Sequence, residues 1–262
     1  MEFLPYLLAV VIGIIMGLIG GGGSILCVPI FVYIFGFSSE AAVANSLFVV
    51  GIMSIFGSFG YFRQGLVDFK TVFLFGIPSL FSIFFVRKII LPNIPPVIAH
   101  LNGFEIKKDF FLLLLFAILM LGASIKMITS KPKTPHITHR PQYTLLITQG
   151  ISVGMITGLI GAGGGFLIVP ALVMLLGLDI KKAIGTSLVI VSLNSLLGFF
   201  SSIDLHSDWD FLILFTSLSV VGIVIGLQFS KKINGERLKP IFGYFVLVIG
   251  IYIIIKETIF KS

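Results

Sequence analysis

A glycine-rich stretch occurs twice in this chain, and both copies lie inside hydrophobic sequence. The copies are Gly17–Pro29 and Gly158–Pro170, 141 residues apart. Residues Gly13–Phe59 align with residues Gly154–Phe200 without a gap, and about 20 of the 47 aligned positions are identical. Lipid cannot hydrogen-bond an opened backbone, so such a break requires protein or water beside it. Paired breaks at corresponding places in two halves indicate the binding site of a transporter.

The composition indicates an integral membrane protein. Hydrophobic residues make up 57% of the chain and charged residues only 11%, whereas roughly a quarter of the residues in soluble domains are charged. The net charge is +7, but the Lys and Arg residues form short clusters between apolar segments. Loop charges that set membrane orientation have this pattern, and a nucleic-acid-binding face does not.

No enzyme, metal or cofactor motif is recognisable. The glycine runs lack the Gly-Lys-[Ser/Thr] ending of a phosphate-binding loop and the soluble βαβ context of a dinucleotide site. Cys27 is the single cysteine, so an intrachain disulfide framework is excluded. His136 and His139 lie in a proline-rich stretch without Cys or acidic partners, which does not favour a metal site.

The hydropathy pattern predicts an all-α membrane protein with two repeats of the same order. Each repeat has a long, a short and then three long apolar segments. The short ones, Ser24–Phe35 and Phe166–Leu176, are below the length of a membrane span. We therefore predict two inverted-topology repeats, each a broken re-entrant hairpin plus three transmembrane helices. The predicted units are residues 1–130 and 143–262, joined by a linker at 131–142.

Loop charge weighs two topologies against each other. If each broken pair returns to its own side, twelve Lys and Arg residues lie on one face and six on the other. If each pair crosses once, the division is ten against eight. The first arrangement follows the positive-inside rule better, places both termini outside and inverts the second repeat. It puts Arg87 and Lys88 on the outer face. Ile89–Glu105, an insertion without a counterpart in the second repeat, is predicted to be an external loop or interfacial segment.

The glycine loops are the predicted anion site, because each opens onto the N-terminus of a half-helix. Free amides and the positive end of the helix dipole suit an anion there, and glycine permits close approach. Small residues that permit close helix packing are the alternative interpretation. The predicted binding residues of the loops are Gly21, Gly22, Gly23, Ser24, Gly163, Gly164 and Gly165.

The next segment of each repeat adds polar residues at matching positions. Asn45–Ser46 corresponds to Thr186–Ser187, and Asn194 corresponds to Met53. Hydrogen bonds between helices would also explain Ser and Thr there. Because the pairs recur at equal distance from the glycine loops, we predict that Asn45, Ser46, Thr186, Ser187 and Asn194 contact the ligand.

The doubled Gly-Leu-Ile-Gly-[Gly/Ala]-Gly-Gly-[Ser/Gly]-x-Leu-x-Val-Pro motif, at Gly17–Pro29 and Gly158–Pro170, resembles the sulfite exporter TauE/SafE family of membrane permeases. The resemblance implies a transporter in the cytoplasmic membrane for a small anion such as sulfite, sulfoacetate or another organosulfonate. It also implies coupling to an ion gradient, of protons or sodium. We expect alternating access around one site between the glycine loops, with the lipid bilayer and a second copy in a homodimer as partners. A channel-like or regulatory membrane component is the alternative.

Overall fold

The computed structural model describes residues 4–20, 24–95, 97–101, 104–129, 143–160, 163–201, 208–233 and 235–259. Gly21–Gly23 and the predicted linker at 131–142 lie outside these ranges. The described residues form ten helices, five in each repeat, so that each helix of the first repeat has a counterpart five numbers later. The helices are α1 (Leu4–Ile19), α2 (Ser24–Tyr33), α3 (Ser39–Phe62), α4 (Phe69–Asn93), α5 (Lys108–Thr129), α6 (Tyr143–Ile160), α7 (Gly165–Leu175), α8 (Ile180–Phe200), α9 (Trp209–Lys232) and α10 (Gly235–Ile259).

Five helices of the described residues are long and apolar enough to cross a membrane, namely α3, α4, α5, α8 and α9. The two helices that follow the glycine loops are short, with 10 residues in α2 and 11 in α7. The predicted helical membrane fold and its order of long and short segments are therefore confirmed. The inverted orientation of the repeats stays a prediction at this point.

Side-chain caps explain where several of the long helices begin. Ser38 accepts a hydrogen bond from the Ala41 amide at the start of α3. Asp179 accepts one from Lys181 N–H before α8, and Asp208 accepts one from Phe211 N–H before α9. Such oxygens satisfy amides that have no partner in the first turn of a helix. The first residues of these three helices can therefore be predicted from the local sequence.

Helix α4 extends further than its apolar segment predicts. It contains two five-residue π-helical stretches, Val72–Gly76 and Val86–Ile90, and it ends at Asn93. Arg87, just past the apolar run, lies inside this helix and is only 8% exposed. Its Nη1 donates a hydrogen bond of 3.2 Å to the carbonyl oxygen of Gly198 near the end of α8. Helix formation continues past Arg87 because a long cationic side chain can be buried where a carbonyl accepts from it.

The segment Ile89–Glu105 is likewise not a simple loop. Its first part, to Asn93, belongs to α4, and an antiparallel hairpin follows, with β1 at Val97–Leu101 and β2 at Phe104–Lys107. The hairpin pairs Leu101 with Phe104 and Val97 with Lys107. A small β-hairpin therefore stands before α5 in an otherwise helical molecule.

The two repeats are joined by crossed packing. Helix α1 of the first repeat packs along α9 of the second, and α6 of the second packs along α4 of the first. At both contacts glycines allow the backbones to touch: Gly13 lies against the carbonyl oxygen of Ser219, and Gly154 against that of Ser79. Small residues permit this approach between membrane helices. Ser79 and Ser219 are each the eleventh residue of their helix, α4 and α9, so they are counterparts and the two contacts are equivalent.

The centre of the molecule is the contact between the equivalent helices α3 and α8. Leu47 near the start of α3 packs against Gly198 near the end of α8, and Tyr61 near the end of α3 packs against Gly185 near the start of α8. The two helices are therefore antiparallel. Large apolar side chains such as Phe81 and Val221 are exposed on the outside of the molecule, as expected for a surface in contact with lipid.

Candidate functional site

The second glycine loop has a backbone that only glycine adopts readily. Gly163 has φ of +65° and Gly164 has φ of +76°, both in the left-handed region. The carbonyl oxygen of Gly164 accepts hydrogen bonds from the Leu167 and Ile168 amides, at 2.9 and 3.0 Å. The loop thus turns directly into α7, whose first residue is Gly165. The N-terminal amides of α7 point back toward this loop, as at any helix start.

The side chains around the loop leave no room for a Cβ atom. A Cβ at Gly163 would lie 2.5 Å from Ser195 Oγ on α8 and 3.1 Å from Val50 Cγ1 on α3. A Cβ at Gly164 would overlap the methyl group of Thr157 on α6. The loop therefore contacts both central helices and its own preceding helix, and its glycines are required by space as well as by conformation.

Polar side chains continue from Ser195 into the neighbouring helices. The Nδ2 of Asn194 donates a hydrogen bond of 2.6 Å to Ser79 Oγ on α4. Ser79 in turn lies against Gly154 on α6, and Thr157 Oγ1 donates to the Gly154 carbonyl oxygen at 3.2 Å. Since Thr157 touches Gly164, these contacts close into a circuit around the second glycine loop. We call this circuit the polar ring; its members are Ser79, Gly154, Thr157, Gly163, Gly164, Asn194 and Ser195.

Three buried polar atoms at the centre make no hydrogen bond within the described part of the chain. They are Ser195 Oγ, Asn194 Oδ1 and Ser54 Oγ, on side chains that are 0 to 1% exposed. Leaving such a group unsatisfied costs about 1 to 3 kcal/mol, so each one requires an explanation. Ser54 on α3 is the counterpart of Ser195 on α8, which makes the feature common to both repeats.

These atoms can both donate and accept. The two serine hydroxyls can donate to an oxyanion, and Asn194 Oδ1 can accept from a protonated oxygen or water. Because the Ser79 hydroxyl also donates or accepts, the Asn194 amide can turn over, keep this bond and present its NH₂ group instead. The cluster can therefore adapt to the protonation state of a bound anion.

The first glycine loop lies mostly outside the described residues, which include neither Gly21, Gly22 nor Gly23. Its flanks are described: Gly20 has φ of +77° and packs against the side chain of Ile184 on α8, and α2 begins at Ser24. The first loop therefore begins beside the second repeat, as crossed packing requires.

The predicted polar pairs do not come together at one point. Leu47, which packs against Gly198, and Tyr61, which packs against Gly185, are about 21 Å apart along α3. Asn45 and Ser46 lie next to the first of these contacts, and Thr186 and Ser187 lie next to the second. Antiparallel packing thus places the matching pairs at opposite ends of the α3–α8 contact.

Most of these polar side chains have structural hydrogen bonds. Ser46 Oγ and Ser187 Oγ each donate to the carbonyl oxygen three residues earlier, at 2.8 Å. Thr186 Oγ1 accepts from the Asp68 amide at 2.9 Å, and Asn45 is buried. Of the predicted set, only Asn194 joins Gly163 and Gly164 in the polar ring.

Sequence reasoning missed Ser79 and Thr157, and it did not include Ser54 and Ser195 among the binding residues. Ser79 has a detectable signal, because its counterpart Ser219 occupies the same place in the other repeat. Thr157 has none, since methionine stands at the matching position. Among the described residues, no group of three or more His, Cys, Asp or Glu side chains could hold a metal ion.

Comparison with known proteins extends over nearly the whole chain. Residues 6–253 match the family described as Sulfite exporter TauE/SafE. A probable membrane transporter protein of Xylella fastidiosa is 27% identical over 252 residues, covering 93% of this chain and 91% of the relative. One of Methanocaldococcus jannaschii is 26% identical over 274 residues and covers 97% of both chains. No solved structure matches. The apolar helices and the match from residue 6 to 253 place this multi-pass membrane protein in the sulfite exporter TauE/SafE family.

Proposed function

We propose that the protein is a secondary transporter that moves a small anion, sulfite or an organosulfonate such as sulfoacetate, across the cytoplasmic membrane by alternating access. The family and the names of the relatives support a membrane transporter. The observation that carries the proposal is a set of three buried atoms on the central helices, Ser195 Oγ, Asn194 Oδ1 and Ser54 Oγ, which find no partner among the described residues. Of these, Ser195 Oγ lies against Gly163 of the second glycine loop.

An anion at this place has favourable electrostatics without a cationic side chain. The amides at the start of α7 and the helix dipole provide about half a positive charge. Hydroxyl donors on Ser54 and Ser195 add directional bonds, and the surrounding low dielectric strengthens all of them. The proposed central contacts are therefore Gly163, Gly164, Gly165, Asn194 and Ser195, with Ser54 from the other repeat.

Two groups of predicted residues take other places in the proposal. Gly21, Gly22, Gly23 and Ser24 keep their predicted role as anion contacts from the first repeat. The pairs Asn45–Ser46 and Thr186–Ser187 lie at the two ends of the α3–α8 contact. In this proposal they meet the anion on its way in or out.

Antiparallel packing of the equivalent helices α3 and α8 supports inverted repeats. Equivalent helices that span the membrane in opposite directions belong to halves of opposite orientation. The three buried atoms are enclosed by protein, so in this proposal an anion reaches them only after the helices around them move apart. An exchange of conformations between the halves would open the centre to each face in turn, with a proton or sodium gradient as the driving force.

The test is counterflow in proteoliposomes that contain the purified protein. Vesicles loaded with unlabelled sulfite or sulfoacetate should accumulate the labelled anion transiently, and the initial rate should saturate. Flux that rises linearly with concentration and shows no counterflow would indicate a channel instead. The transport proposal would be rejected if no tested anion showed flux while a cooperative thermal transition showed that the protein is folded.

A further inference from the structure

The counterpart of the polar ring in the first repeat can be identified from contacts. Gly154 touches Ser79, and its counterpart Gly13 touches Ser219, the counterpart of Ser79. The offset of 141 residues that relates Gly154 to Gly13 also relates Ser195 to Ser54, whereas Ser219 follows Ser79 by 140 residues. Both repeats therefore supply a serine on a central helix and a glycine contact on the crossed pair of helices.

The two remaining polar members of the ring are replaced in the first repeat. Thr157 on α6 corresponds to Met16 on α1, and Asn194 on α8 corresponds to Met53 on α3. Both methionines are 0% exposed. Thioethers have no hydrogen-bond donor and are weak acceptors, while their flexible chains fit irregular apolar groups well. The centre thus has one polar half and one apolar half.

We propose that Met16 and Met53 form the apolar half of the anion site and determine its specificity. The site then selects an anion with an oxygen-rich charged end and a second end that is uncharged. The charged end would lie against Asn194, Ser195 and the start of α7. The uncharged end would lie against the two methionines. This inference rests on the proposed transport function and concerns which anions the same site accepts.

A second charge in the substrate is the discriminating feature. A carboxylate placed against Met16 and Met53 would lose its water and gain no donor, and burying an unpaired charge is costly. A methyl group in the same place would instead gain by leaving water. Ethanesulfonate and sulfoacetate differ in this way, because a methyl group in one replaces a carboxylate in the other. Sulfite has the charged end alone.

The experiment measures the Kd of the purified full-length protein for ethanesulfonate, sulfoacetate and sulfite, by thermal shift and isothermal titration. We expect ethanesulfonate to bind at least about tenfold more tightly than sulfoacetate and more tightly than sulfite. Equal or tighter binding of sulfoacetate would overturn the two-sided site while leaving anion transport intact. If none of the three binds, the proposed function fails as well.

Variants assign the preference to the methionines. Met53→Asn introduces the residue that the second repeat has at the matching position, Asn194. The Kd for sulfoacetate should then exceed the Kd for ethanesulfonate by less than about threefold. Met53→Leu should keep the wild-type ratio of the two Kd values. Met120→Asn is the matched control, because Met120 is equally buried but lies on α5 against Gly250 of α10. A ratio of two constants on one preparation is unaffected by an inactive fraction. An unchanged ratio in Met53→Asn would overturn the assignment.

Discussion

The hydroxyl of Tyr61 on α3 lies 2.8 Å from the hydroxyl of Ser230 on α9, with both side chains buried. Tyr61 also donates to the carbonyl oxygen of Gly17 on α1, at 3.4 Å. One phenol therefore connects a central helix to the crossed α1–α9 pair. The connection lies at the end of α3 that is near the start of α8, where Tyr61 packs against Gly185.

Replacing Tyr61 with Phe should destabilise the protein by about 1 to 2 kcal/mol, because Ser230 Oγ would remain buried and lose its bond. Thermal unfolding in detergent measures the effect. Tyr252→Phe is the matched control, since Tyr252 is exposed on α10, and it should change little. A double variant with Ser230→Ala should recover part of the loss. Equal stability of Tyr61→Phe and wild type would show that this bond contributes nothing.

The space at Gly163 gives a sharp functional prediction. Gly163→Ala combines a left-handed backbone with a Cβ that meets Ser195 Oγ, so substrate binding and counterflow should fall below detection. Gly177→Ala shares the φ of +65°, but no described atom lies within 4 Å of its Cβ. Gly177→Ala should cost only about 1 to 2 kcal/mol of backbone strain and keep its transport. Equal transport by the two variants would remove the loop from the site.

Ser195→Ala should separate function from stability. Since Ser195 Oγ bonds to none of the described residues, its removal costs no internal hydrogen bond and should leave the thermal transition unchanged or slightly raised. The Kd for the anion should rise at least about tenfold, because one lost hydrogen bond to a charged group costs about 1.5 to 3 kcal/mol. Thr216→Ala is a suitable control, because its hydroxyl bonds to the Leu212 carbonyl oxygen on α9. An unchanged Kd in Ser195→Ala would place the anion elsewhere.

The crossed packing predicts which glycines tolerate a methyl group. A Cβ at Gly154 would lie 2.6 Å from the Ser79 carbonyl oxygen, so Gly154→Ala must separate α6 from α4 and should cost about 1 to 3 kcal/mol. At Gly122 on α5, no described neighbour lies within 4 Å of the Cβ. Gly122→Ala should be neutral or stabilising by up to about 1 kcal/mol. The measurement is the thermal unfolding of the two variants side by side. A lower stability of Gly122→Ala than of Gly154→Ala would contradict the close backbone contact at Gly154.

Much of the fold could be predicted, because the signals are local. Long apolar runs, the breaks at Gly20–Gly23 and Gly161–Gly165, and the doubled motif directly define helices, half-helices and repeats. Arg87 could not be predicted as buried, since nothing in a run of Val, Arg and Lys reveals that a carbonyl of a distant helix accepts from the guanidinium. The extension of α4 to Asn93 could not be predicted either, because the local sequence does not show this contact with α8.

The composition of the site was harder to predict than its location. Matching residues such as Asn45 and Thr186 are predicted from the sequence to meet at one ligand, because they lie at equal distances from the glycine loops. Antiparallel packing of α3 and α8 instead separates equivalent residues, except those near the middle of the contact. Ser54 is midway between the contacts at Leu47 and Tyr61, and Asn194 and Ser195 are nearer the middle of α8's contact than Thr186 is. Which residues of α3 and α8 lie close together therefore depends on the relative direction of the two helices, and the sequence does not show this direction.

The crossed contacts of α1 with α9 and of α6 with α4 also bear on how such a chain can arise and assemble. Neither half can cover the glycine faces of its own first helix, because the matching surface belongs to the other half. A single half would have to exchange these helices with a second copy of itself. Duplication and fusion would then turn an exchanged pair of subunits into one polypeptide. During biosynthesis, Gly13 cannot make its contact with Ser219 until α9 has been synthesised.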